Sequence, residues 1–146
     1  MEIRTKGIPD NVSRSICKEA IRFYGNELLG SRLAKNIKIF LVFEELPNVV
    51  NALCQWNDDN HLCRSFVIIL NKKMNKKTTL IALAHEMVHV KQYARGELKD
   101  YLRSDKVKWR KRVFRLDKVE YWSSPWEVEA YKKDKILYEK YKQRNK

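Results

Sequence analysis

His85, Glu86 and His89 make an H-E-x-x-H pattern within Thr78 to Arg95, a stretch of strong helical character. On a helix, residues four apart stack on one face with β-carbons about 5 to 6 Å apart, so both imidazoles can reach one metal ion. Glu86, one step around the helix, points beside that ion. A carboxylate there can take a proton from a water activated by zinc and hand it to a leaving amine, the general-base role in metal-assisted hydrolysis. Paired histidines at helical spacing also occur as ordinary core or surface residues. Against that reading, the chain has only three histidines, and two fall in this pattern with a glutamate in the right slot. The flanks, Leu80-Ile81-Ala82-Leu83-Ala84 and then Val88, Val90 and Ala94, are apolar enough to bury the helix, and buried polar groups need partners. Gly96 is suited to stop it.

A zinc site needs a third protein ligand, with the fourth position left for water or substrate. No histidine follows His89, which directs attention to the acidic residues of Pro125-Trp126-Glu127-Val128-Glu129-Ala130-Tyr131. This segment opens a helix: Ser123 or Ser124 can cap it, Pro125 suits its first turn, and Val128, Ile136 and Leu137 continue its apolar pattern. Glu127 and Glu129 differ by about 200° around that helix, so only one of them can face a given metal.

Together these residues resemble the gluzincins, peptidases in which H-E-x-x-H is completed by a glutamate on a later helix. In many small members that helix reads E-x-x-A, as Glu127-Val128-Glu129-Ala130 does here. The resemblance covers Thr78 to about Leu137. It implies Zn2+ held by His85, His89 and Glu127, with Glu129 the alternative ligand, and Glu86 as general base in peptide-bond hydrolysis. Many relatives carry an aspartate after the alanine to support the first histidine; here that position is Tyr131, which leaves the support unassigned. A tetrahedral oxyanion needs a donor besides the metal. Tyr121 is the chosen candidate, ahead of Tyr131 and Tyr93, while Trp122 and Trp126 are expected to wedge the Glu127 helix in place.

The elements that must position these groups follow from pattern. Asn11 to Leu29 has helical spacing with Gly30 as terminator, and Asn36 to Glu44 reads as a buried strand. Val49 to Trp56 and Ser65 to Asn71 are further strands around an Asn57-Asp58-Asp59-Asn60 turn. The expected fold class is α+β: a minimal zincin-like domain over residues 1–146 with an N-terminal helix, a sheet of three strands or slightly more, the H-E-x-x-H helix, a basic hairpin or loop and a C-terminal Glu-bearing helix. The last strand before the metal helix, Ser65 to Leu70, is the candidate rim of the cleft. If it is an open edge, it can hold an extended peptide.

No apolar stretch approaches the roughly 20 residues that span a bilayer, and Met1 to Lys6 lacks a secretory core, so a cytoplasmic location without membrane contact is expected. Cys17, Cys54 and Cys63 are odd in number and without C-x-x-C spacing, as suits reduced thiols. His61 with Cys54 and Cys63 lacks a fourth donor at a recognised spacing.

Charge is the second informative feature. The 31 basic and 18 acidic residues give +13; residues 1–70 carry nine and eight, residues 71–146 carry 22 and ten, so +12 lies in the half that holds the motif. Lys72, Lys73, Lys76 and Lys77 form one cluster. Lys106, Lys108, Arg110, Lys111, Arg112 and Arg115 form another, in a segment that alternates like a β-hairpin and could lie against phosphates, with Trp109 or Phe114 stacking on a base. The ordinary alternative is a solvated basic surface with both rings packed beneath. H-E-x-x-H beside such charge also resembles the SprT-like or Spartan-like proteases, but those take a third histidine downstream, absent here. Besides a peptidase, the classes left open are a nucleic-acid-associated module and a zincin that binds metal without turnover.

Overall fold

Strand alternation and helix caps account for most of the architecture in the computed structural model, which describes residues 1–47, 49–58, 60–101 and 104–144. The chain is mixed α+β, with three α-helices and two sheets among the described residues. The larger sheet has β1 (Glu2–Lys6), β2 (Lys38–Glu44), β3 (Ala52–Trp56) and β4 (Ser65–Asn71) in the order β1-β2-β4-β3. β1, β2 and β4 are parallel and β3 runs antiparallel to β4. Ile39, Leu41 and Phe43 of β2 and Phe66, Ile68 and Leu70 of β4 alternate onto the face that forms the core.

The sheet of three strands or slightly more has four; the strand not placed in advance is β1, whose single buried residue, Ile3, leaves little apolar signal in the sequence. One expectation changes. Ser65–Asn71 is not an edge. β4 is paired on both sides, and the edge strands are β1 and β3, with β3 on the side of the H-E-x-x-H residues.

Helix α1 (Arg14–Ala34) starts where the Ser13 side chain accepts a hydrogen bond from the Ile16 N–H, three residues later than the spacing suggests. Gly30 does not end it. With φ 77° and ψ 156° it kinks the helix, which resumes and buries Ala34. Helix α2 (Lys76–Ala94) is capped by the Asn75 side chain, which accepts from the Thr78 N–H. It ends in a Schellman turn: Gly96, at φ +71°, donates to the Tyr93 carbonyl and Glu97 to that of Gln92. Every residue from Leu83 to Gln92 is buried, because α2 touches α1, α3, β3 and β4.

After α2 comes the smaller antiparallel sheet of β5 (Leu98–Asp100), β6 (Lys106–Trp109) and β7 (Arg112–Arg115), in that order. The basic segment is thus a hairpin, as its alternation suggests. Its aromatic residues are not free to meet a base: Trp109 is buried and Phe114 half-buried, both packed on Trp126. Arg110, at φ 54°, forms the turn and lies over the Trp109 ring.

Helix α3 (Pro125–Gln143) begins at Ser124, whose hydroxyl donates to the Tyr121 carbonyl rather than capping a helix N–H. Its buried stripe is Glu127, Ala130, Asp134, Leu137, Tyr138 and Tyr141; Val128 and Ile136, expected in the core, are exposed. Trp126 joins the small cluster beneath the hairpin; Trp122 is 71% exposed, its ring lying on the surface 5.2 Å from those of Tyr121 and of Tyr131 on α3. Among the described residues, no helix is long and apolar enough to cross a membrane. All three cysteines are free.

Candidate metal centre

α2 and α3 pack directly together, and their contact brings His85, His89 and Glu127 to one point. Ala130, with no exposed surface, is small enough to allow that approach. His85 Nε2 lies 2.9 Å from one Glu127 oxygen, and His89 Nε2 lies 3.1 Å from the other. The three candidate ligand atoms all fall within 4.8 Å of one another. At metal–ligand distances of about 2.0 to 2.2 Å, tetrahedral geometry places ligand atoms about 3.3 to 3.6 Å apart. Small side-chain shifts therefore convert the observed contacts into a coordination shell.

Both histidines are held by their other ring nitrogen, which is what a metal site requires of them. Asp134 Oδ2 lies 3.2 Å from His85 Nδ1. Asp134 stands seven residues after Glu127 on the same face of α3, and so supplies the support that Tyr131 cannot. Gln92 Oε1 lies 2.8 Å from His89 Nδ1. The orientation of this amide is fixed by its nitrogen, which donates to the Trp126 carbonyl at 2.9 Å and to Glu129 at 3.0 Å. The amide oxygen therefore faces the ring and accepts from His89 Nδ1–H; His89 Nε2–H faces Glu127, and loss of that proton would free Nε2 as the electron-pair donor a metal needs.

Glu129 lies outside the cluster. It accepts from Lys91 at 3.0 Å as well as from Gln92, with Arg110 and Lys133 each 3.6 Å away. It braces α3 against α2 and the hairpin, and of the two glutamates only Glu127 meets the histidines.

The electrostatics fit a cation-binding cluster. Burial opposes ionisation of Glu127, but hydrogen bonds from His85 and His89 outweigh it and bring the pKa down to about 2. Burial likewise opposes a charge on His85, yet its bonds to Asp134 and Glu127 raise it to about 9. Glu86 has no such bond. Burial, with the Glu127 charge adding to it, raises its pKa although both histidines oppose the shift. A raised pKa moves a carboxylate in the direction that suits a group which must both accept a proton and give it up.

Two cavities meet at Glu86. One of about 300 Å³ lies between β3 and the inner face of the smaller sheet, with His89 and Glu127 in its wall. The other, about 630 Å³, runs past His85 toward Val49–Leu53. Tyr121 borders both and is 53% exposed, its hydroxyl 3.2 Å from that of Tyr131. Tyr131 instead packs its ring 4.4 Å from the His85 ring, and Tyr93 is bonded to Asp100 at 3.4 Å between Trp56 and Phe66. Cys54, on the cleft side of β3, is kept as a neutral thiol by burial and by the Glu86 charge. His61, Cys54 and Cys63 form no metal-binding group among the described residues.

Asp134 and Gln92 escaped the sequence reading. Their signals are helical: Asp134 is at i+7 from Glu127 and Gln92 at i+3 from His89. No family model, curated protein or solved structure matches the chain.

Proposed function

We propose that the protein is a zinc-dependent peptidase. The observation that carries this reading is the convergence of three buried donors, two of them imidazoles whose outer nitrogens are already bonded. His85 and His89, through Nε2, and Glu127, through its carboxylate, would hold the ion. Zinc in such a site supplies Lewis-acid polarisation of water and of a carbonyl, with a coordination position left open.

The chain's own groups account for the rest. Glu86 accepts the proton of the attacking water and passes it to the departing amine. The Tyr121 hydroxyl reaches into the cleft from its rim and donates to the developing oxyanion. The free edge of β3 offers backbone N–H and C=O groups to an extended peptide, which would add to the sheet as an antiparallel strand across the metal. His85 and His89 stay fixed through Asp134 and Gln92, so the ligand geometry is set before substrate arrives.

The test combines metal analysis with cleavage. Purified protein should carry about one zinc per chain, and Glu86→Gln should keep the metal while losing hydrolysis of a denatured-protein substrate. Retained cleavage in that variant overturns the role of Glu86. Stoichiometric zinc with no turnover on a broad peptide library would leave a site that binds metal only.

A further inference from the structure

The smaller sheet sorts its side chains by strand alternation, and the sorting leaves an unusual outer face. Residues directly opposite in register share a face, so Leu98, Asp100, Val107, Trp109, Arg112 and Phe114 line the inner side, with Arg112 at its margin over the Phe114 ring. Lys99, Lys106, Lys108, Val113 and Arg115 lie on the outer side, all exposed. Two registered pairs are like-charged, Lys99 opposite Lys108 and Lys106 opposite Arg115. Directly opposed β-carbons stand about 4.5 to 5.5 Å apart, and like charges there destabilise a sheet. The sheet's one acidic residue, Asp100, is on the inner face bonded to Tyr93. Among the described residues, Arg115 pairs with Asp117 at 3.4 Å. Lys99, Lys106 and Lys108 pair with no carboxylate of the described residues.

We infer that this face binds the phosphate backbone of nucleic acid. Like-charged neighbours without counter-charge impose a cost on the free fold that a polyanion removes. Cations two residues apart along a strand are spaced by about 6.8 Å, a regular row suited to a regularly charged partner. Tyr101, whose N–H bonds the Lys106 carbonyl, and Val113 are the exposed apolar side chains of this face among the described residues, too little apolar surface to enter a membrane. With Trp109 and Phe114 turned inward and the cations forming most of the face, contact is with phosphates and independent of sequence. The inference does not depend on a metal.

The test is fluorescence anisotropy with a labelled mixed-sequence 20-base-pair duplex. Four phosphate contacts predict a log–log salt slope of about −3.6 and binding roughly 150-fold weaker at 200 mM than at 50 mM salt. The quadruple variant Lys99→Gln, Lys106→Gln, Lys108→Gln, Arg115→Gln should lose most of the affinity and flatten the slope. A control removing the same charge elsewhere, Lys72→Gln, Lys73→Gln, Lys76→Gln, Lys77→Gln, should stay within about threefold of the parent. The double variant Lys99→Gln, Lys108→Gln should give an intermediate loss at an unchanged or higher melting temperature, which separates lost contact from lost fold. Equal losses in the two quadruple variants, no binding at 50 mM salt, or stronger binding to polyglutamate than to duplex would each overturn the inference.

Discussion

Replacing Gln92 with leucine tests the link between the packed interior and the metal centre. The side chain is fully buried and makes three hydrogen bonds, one from His89 and two to α3 and its cap region, at the Trp126 carbonyl and Glu129. Leucine keeps much of the volume and removes all three. The His89 Nδ1–H then lacks a partner, while the Trp126 carbonyl keeps its place in the α3 hydrogen-bond ladder, and such an orphaned group costs about 1 to 3 kcal/mol. That loss is a sizeable share of the roughly 5 to 15 kcal/mol that holds a domain together. His89 also loses its fixed tautomer, and loss of such a bond typically weakens metal affinity about 10- to 100-fold. Urea denaturation in the presence of chelator gives the first quantity, and competition with a zinc-binding dye gives the second. Gln92→Glu separates them: its carboxylate still accepts from His89 but confronts Glu129 and the Trp126 carbonyl with no donor, so stability should fall more than the tautomer is disturbed. Zinc affinity within twofold of the parent in a folded Gln92→Leu protein would refute the assignment of the His89 tautomer.

Other expectations follow from the same geometry. Asp134→Ala removes the partner of His85 Nδ1 and should weaken zinc binding about 10- to 100-fold by the same competition assay. Glu86→Gln should lower kcat about 10²- to 10⁴-fold with metal content unchanged, measured by turnover and elemental analysis side by side. Tyr121→Phe should reduce kcat about 10²-fold with little change in KM, because an oxyanion donor acts only as charge develops; an effect confined to KM would make the residue a substrate contact instead. Asp58 accepts from the backbone N–H groups of Arg64 and Ser65 at 2.7 and 2.8 Å. Burial opposes its ionisation, but these bonds prevail and lower its pKa, so its contribution is present above the unfolded value of about 3.9 and is lost as pH falls through the lower folded one. Asp58→Ala should therefore cost about 1 to 2 kcal/mol at neutral pH, with the gap between the two unfolding curves closing below about pH 4.

Local rules made most of α2 legible. A helix carries its H-E-x-x-H spacing and its terminating glycine in consecutive residues, so His85, Glu86 and His89 could be set on neighbouring faces before any coordinates were known, although the Asn75 cap and the first two residues were not read. The separation of Glu127 from Glu129 was likewise an angular property of one helix, and the basic hairpin announced itself by alternation. Position within a sheet is a different kind of fact. Nothing in Ser65–Asn71 says that β2 and β3 flank it, because that order arises from pairings between distant segments, and the edge beside the site therefore fell to β3. β1 was invisible for a related reason: with one buried side chain, it is held by its neighbour more than by its own pattern. The support of the two imidazoles by Asp134 and Gln92 also belongs to the tertiary structure. Each candidate partner lay at a permissible helical offset, but only the docking of α3 on α2 brought Asp134 to His85 and gave Gln92 the two acceptors that turn its oxygen toward His89.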